Sequence, residues 1–157
     1  MALFHTRGRY MRAVLSGLGV TRRSVGRRHR RDCVTALLGQ SNGESGAEPC
    51  NGVPGQGARF NPLNTTYNLP PCTDYNSVHV RNYASWSQGI AATVATYKLV
   101  YYVKVRAAML DPKASAVDVA EAIAASPWGT GQLAVTATRA LEASPSARKA
   151  TWRRSVG

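Results

Sequence analysis

Glu44 is the carboxylate of this chain best placed for acid–base chemistry. It closes an apolar segment, opens Glu44-Ser45-Gly46, and is followed by Phe60-Asn61-Pro62-Leu63-Asn64-Thr65-Thr66. A glutamate at a helix end, facing a cleft walled by an Asn- and Thr-rich loop, suits protonation of a glycosidic oxygen. Partial burial raises its pKa, so the carboxyl can hold its proton near neutral pH. Asn61, Asn64, Thr65 and Thr66 are candidates for hydrogen bonds to sugar hydroxyls, and they equally suit satisfaction of the loop backbone. Tyr75 and Tyr83 are candidates for contact with sugar rings. A paired-carboxylate mechanism asks for a second acid. Asp74, in Thr73-Asp74-Tyr75, is the leading candidate, and Glu48 is a weaker one. Trp86 and Trp128 read as core or cap residues, and His79 as a surface strand residue. His5 and His29 sit among arginines and add no site. No metal site or cofactor is expected, because no His or Cys has ligand spacing.

The elements that must position these residues fit one domain, since 157 residues are room for a single core. No run approaches the roughly 20 apolar residues of a membrane span. The formal net charge is +12, which suggests a polyanionic partner. That charge sits at the ends. Residues 1–31 carry nine arginines and no acid, and residues 139–157 carry five basic residues against Glu142. Because a nucleic-acid-reading domain carries its basic residues on a folded face, terminal arginines argue against nucleic acid. Residues 1–31 read as a basic arm, 32–142 as the domain, and 143–157 as a frayed basic tail. Ala13–Val20 contains Gly17 and Gly19 and runs into arginines, so no clear signal peptide is expected.

Tyr10–Leu18 predicts a short helix, with Tyr10, Val14 and Leu18 on one face. Asp32–Gln40 predicts a second. Ser41–Gly57 reads as a loop, and Phe60–Asn82, broken by Pro62, Pro70 and Pro71, as mostly irregular with a short strand at Val78–Val80. The clearest helix is Trp86–Val103, with Ser85 as N-cap, Gln88 at capping-box spacing, and an apolar stripe through Ile90, Val94, Tyr97 and Tyr101. Ala116–Ala125 follows, capped by Ser115 and Asp118, with Val117, Ala120, Ile123 and Ala124 facing inward. Ser126-Pro127 ends it. Cys50 and Cys72 flank the loop section and either pair or remain free thiols, with Cys33 left over. The fold class expected is mainly α, with a long irregular loop section and disordered basic termini.

The order Glu44-Ser45-Gly46 and then Phe60-Asn61-Pro62 resembles the catalytic segment of lytic transglycosylases of the lysozyme superfamily. There the two motifs are almost adjacent; here Ala47–Arg59 separates them. Arg59–Thr66, Thr73–Val78 and Val80–Tyr83 are more specifically similar to lysozyme-like domains in virion and tail-associated proteins of actinobacterial phages. So are Ser85-Trp86, Gly89-Ile90, Ala92-Thr93, Thr96 and Ser126–Gly131. Glucosaminidase-type autolysins share the plan of a helix-end Glu, an Asn-rich segment and a Tyr-x-Ser turn. The resemblance covers about residues 58–131. Before that, the Ala- and Trp-rich helix of the family is replaced by arginine-rich sequence.

The resemblance implies a small lysozyme-like domain that cleaves peptidoglycan glycan strands with Glu44 as general acid. The chemistry can run on one glutamate, with the substrate's acetamido group and C6 hydroxyl assisting. It implies a phage virion or host cell-envelope location, with other virion proteins as further partners. An inactive structural or glycan-binding module on the same fold is the alternative. A basic nucleic-acid-binding protein is a more distant one.

Overall fold

The computed structural model describes residues 7–45, 50–128 and 130–144. Six α-helices and one two-stranded sheet lie among them: α1 (Arg7–Gly17), α2 (Arg22–Ser45), β1 (Cys72–Asp74), β2 (Arg81–Tyr83), α3 (Trp86–Lys98), α4 (Val103–Leu110), α5 (Ala116–Ala124) and α6 (Gln132–Ala143). The chain is mainly helical, as its composition and periodicities predict. No helix among the described residues is long and apolar enough to cross a membrane.

The centre of the fold is α2. Every residue from Cys33 to Ser41 is buried, so this stretch is enclosed on all sides rather than amphipathic. It packs most extensively on α6, then on α5 and α1. Close approach to α6 depends on Gly39, where a Cβ would lie 2.1 Å from Thr138 Oγ1 and 2.9 Å from the Thr138 amide nitrogen.

Residues 7–31 are not an arm outside the domain. Tyr10, Met11, Val14 and Leu15 bury one face of α1, and Val20, Val25 and His29 join the same core. The helix expected at 32–40 begins at Arg22, with a break at Gly26 (φ 79°, ψ 163°). Arginine-rich sequence looked solvated because its apolar residues are sparse, yet Tyr10, Met11, Val14, Leu15, Val20 and Val25 are inside. His29, set aside in the sequence, is 2% exposed. Its Nδ1 lies 2.9 Å from the Ala114 carbonyl oxygen and its Nε2 2.9 Å from that of Met109. It thereby ties α2 to the α4–α5 connection.

Tyr10 joins α1 to α3. Its hydroxyl donates to the Gly89 carbonyl oxygen at 2.8 Å and pairs with Thr93 Oγ1 at 2.6 Å. The N-cap of α3 is as expected, with Ser85 Oγ accepting from the Gln88 amide, but the reciprocal half of a capping box goes to Ala84 rather than to Ser85. Gln88 reaches back to the Ala84 amide at 2.6 Å and donates to the Leu69 and Pro71 carbonyls at 2.7 and 2.9 Å. The expected run to Val103 is interrupted. Leu99 is extended (φ −61°, ψ 151°), a 3₁₀ turn covers Val100–Tyr102, and α4 restarts at Val103. The break turns Tyr101 outward, 69% exposed, and Tyr102 inward. In α5 the Ser115–Asp118 capping box forms as predicted. Its inward face is Ala116, Val119, Ala120 and Ile123, with Val117 and Ala124 only half-buried.

The strand expected at Val78–Val80 lies instead in the hairpin turn, and β1 and β2 flank it antiparallel, with Cys72 opposite Tyr83 and Asp74 opposite Arg81. Cys33, Cys50 and Cys72 are free thiols. Glu48 and most of the expected C-terminal tail lie outside the described residues.

The loop entering the site passes over α3 at Gly89, where a Cβ would sit 1.9 Å from the Phe60 carbonyl oxygen. A methyl there must displace backbone rather than a flexible side chain. Gly89→Ala is therefore expected to destabilise the fold by about 1–3 kcal/mol, read as a lower urea midpoint at unchanged m value. An unchanged midpoint would show that the loop does not need this approach.

Candidate functional site

Glu44 stands in the last turn of α2, and three short segments converge on it. Ser41 Oγ donates to the Pro62 carbonyl at 2.9 Å. Trp128 Nε1 donates to the Leu63 carbonyl at 2.8 Å. Asn64 Nδ2 donates to the Glu44 backbone carbonyl at 3.2 Å and lies 3.4 Å from Glu44 Oε2. Three consecutive loop residues are thus fastened, two to the end of α2 and one to the segment after α5. That segment brings Thr130, whose hydroxyl donates to Glu44 Oε1. Gly43 makes room for it, since a Cβ there would lie 2.9 Å from Thr130 Cγ2 and 3.1 Å from Leu133 Cβ.

Among the described residues, each polar partner of the Glu44 carboxylate is a donor, and none is a cation. Burial raises its pKa above the ordinary value, while the hydrogen bonds from Thr130 and Asn64 pull it partly back. The carbonyl end of α2 further disfavours a negative charge in this turn. The result is a half-buried carboxyl of raised proton affinity, held from two sides.

Behind it lie three aromatic rings. Tyr97 stacks at a tilt on Trp128 with centroids 4.6 Å apart, and Tyr102 meets both edge-on. The Tyr97 hydroxyl donates to Gln40 Oε1, one turn before Glu44. Burial holds that phenol well above its usual pKa, so it stays a neutral donor. Trp128 is accordingly a structural residue, as expected. Trp86 is likewise packed, edge-on to Tyr10 and Phe60.

The other sequence candidates divide. Asn64 reaches Glu44. Asn61 does not: it is fully buried, and its amide accepts from the Thr65 nitrogen at 2.9 Å and donates to the Thr65 and Arg81 carbonyls at 2.8 Å. Thr65 is buried as well, its hydroxyl paired with Thr96 Oγ1 at 2.6 Å. Asn61 and Thr65 therefore shape the loop instead of offering groups to a ligand. Thr66 is exposed, and its carbonyl accepts from Arg81 Nε at 3.4 Å. Tyr83 is fully buried and donates to the Tyr67 carbonyl at 2.7 Å, which removes it as a sugar platform. Tyr75 is half-buried, its hydroxyl 3.4 Å from the Val53 carbonyl oxygen.

Asp74 faces its register partner across the hairpin. One carboxylate oxygen takes the Arg81 guanidinium, and the other lies 3.0 Å from His79 Nδ1. Among the described residues no hydrogen bond or ion pair joins it to Glu44. Its charge is neutralised in place, as a tether of the hairpin requires. Thr130 was not singled out in the sequence as a partner of the acid. Its only signal was its place in Ser126–Gly131, and nothing local ties that segment to Glu44.

Cys33 and His29, at i and i+4 spacing, also approach one another, with Sγ 3.3 Å from Nε2. Burial pushes the Cys33 thiol up to about 12, so it is protonated and packed rather than nucleophilic. No group of three or more metal-binding side chains occurs among the described residues.

Comparison with known proteins finds no matching family model, curated protein or solved structure.

The two hydrogen bonds to Glu44 favour its ionised form, so removing either raises its pKa further. In carboxyl-carbon NMR titrations, Thr130→Val is expected to shift the Glu44 midpoint upward, and Asn64→Ala to shift it upward by less. A downward shift in either variant would contradict the assigned contacts.

Proposed function

We propose that this chain is a lysozyme-like domain that cleaves peptidoglycan glycan strands with Glu44 as its general acid. What supports the reading is the carboxyl itself: half-buried, at the end of the central helix, without a cationic partner among the described residues and held by Thr130 and Asn64. It is joined by the motif order Glu44-Ser45-Gly46, Phe60-Asn61-Pro62 and Ser126–Gly131.

In this scheme the protonated Glu44 donates its proton to the oxygen linking two amino sugars as the bond from that oxygen to C1 breaks. Positive charge develops at C1, where the substrate's own acetamido oxygen can stabilise it. The resulting Glu44 carboxylate then takes a proton from the sugar's C6 hydroxyl, whose oxygen closes on C1, or from water. One carboxyl serves both steps. That matches the state of Asp74, whose two oxygens are occupied by Arg81 and His79. A phage virion acting at the host envelope is the setting this chemistry suggests.

The acid must be protonated to act. Because its pKa is raised, activity is expected to persist above the usual carboxyl range and to fall as pH rises through the Glu44 value. On purified actinobacterial peptidoglycan, Glu44→Gln is expected to lower cleavage by about 10²–10⁴-fold, while Asp74→Asn stays within about tenfold of wild type. Mass spectrometry of the products separates anhydro ends from reducing ends, and so C6 closure from hydrolysis. Equal cleavage by wild type and Glu44→Gln would sink the assignment. Wall binding without cleavage by wild type would favour the inactive module.

A further inference from the structure

The first half of α2 and the facing side of α1 enclose a groove of about 600 Å³, lined by Arg12, Arg22, Arg27, Arg28, Arg30 and Arg31 with Val34 beneath. Among the described residues, no carboxylate and no aromatic ring belongs to that lining. Arg30 is fixed in place: its Nε donates to the Val20 carbonyl at 3.1 Å, and its Nη2 to the Arg12 carbonyl at 3.2 Å and Ser16 Oγ at 3.1 Å. The guanidinium groups of Arg22, Arg27, Arg28 and Arg31 make no hydrogen bond or ion pair among the described residues, and these side chains are exposed. The crowding is unfavourable. Burial and the charges of Arg30, Arg9 and Arg22 all lower the proton affinity of Arg12. One of the arginines, Arg22, also stands in the first turn of a helix, where the backbone dipole disfavours cations, and no acid in that turn offsets it. Folding alone does not call for this arrangement. An anion placed in the groove would relieve it.

We infer that the groove binds a slim phosphodiester polymer, the polyol-phosphate type of chain that cell walls carry beside their glycan. The inference rests on the reading of the protein as a wall-active domain. Guanidinium forks hold phosphate oxygens two at a time, which suits arginine over lysine. A concave, arginine-lined surface suits a thin chain that can lie along it. A DNA duplex is read by an element that projects into its grooves, and single-stranded nucleic acid is held largely by aromatic rings on which bases stack. The described lining of this groove offers neither.

The test is fluorescence anisotropy of the full chain with a labelled glycerol-phosphate oligomer, set against single-stranded DNA and polygalacturonate of matched charge. The expected result is preferential binding of the glycerol-phosphate chain. With three or four phosphates neutralised, affinity is expected to fall about 20- to 50-fold between roughly 50 and 200 mM salt. The Arg27→Gln, Arg28→Gln, Arg31→Gln triple variant is expected to lose about tenfold or more. A Lys98→Gln, Lys104→Gln, Lys113→Gln variant removes the same charge elsewhere and is expected to bind within about twofold of wild type. Circular dichroism confirms that both variants fold. Equal losses in the two variants would overturn the proposal in favour of diffuse attraction, and tighter binding of DNA would overturn it in favour of a nucleic-acid interface. Glu44→Gln is expected to bind the oligomer as wild type does. Binding is read without cleavage, so failure here is distinct from failure of the Glu44 assignment.

Discussion

The fastening of residues 62–64 is the constraint on which the candidate site depends. The carbonyls of Pro62 and Leu63 and the amide of Asn64 are taken in turn by Ser41, Trp128 and the Glu44 backbone. These are ordinary hydrogen bonds, each of modest net worth. Their effect comes from geometry: they link the end of the central helix, the loop and the segment after α5 at consecutive positions. Asn61 secures the loop from within, and Arg81 secures it from the hairpin by donating its amide to the Thr65 carbonyl at 3.2 Å. Glu44 is thus surrounded by backbone that is already committed, which keeps its carboxyl half-buried.

A second constraint is backbone proximity. Gly39 lets α6 lie against α2, Gly43 lets Thr130 reach the acid, and Gly89 lets the loop cross α3. Side chains at any of the three would push apart the segments that meet at Glu44. The same helix also carries both unusual electrostatic features of the chain. Its arginine-rich first half crowds like charges, and its last turn holds a carboxyl with no cation among its described partners. Neither favours stability, and regions that give up stability in this way tend to be those reserved for function.

Much of the local structure was legible from the residues. The caps at Ser85 and Ser115 form as their spacing predicts, because a hydroxyl that accepts from an N-terminal amide acts within one turn of chain. Glu44 could be picked out by its place between an apolar segment and an Asn-rich loop. Other elements were harder to read. Helix α6 buries Ala134, Val135, Thr138 and Leu141, a correct period written in small or polar residues that give a weak apolar signal. The arginine-rich start of α2 hides its few buried residues among solvated ones.

The sequence by itself determined the mainly helical class, the two capped helix starts and a short set of candidate groups. These rest on interactions between residues a few positions apart. Only the tertiary structure decided which candidates share a site. It brought Thr130 to Glu44 across 86 residues of chain. It turned Asn61, Thr65 and Tyr83 into internal struts, paired Asp74 with Arg81, and folded the arginines of α1 and α2 around one groove. Hydrogen-bond partners and burial at those positions depend on segments far apart in the chain, so local pattern carries no record of them.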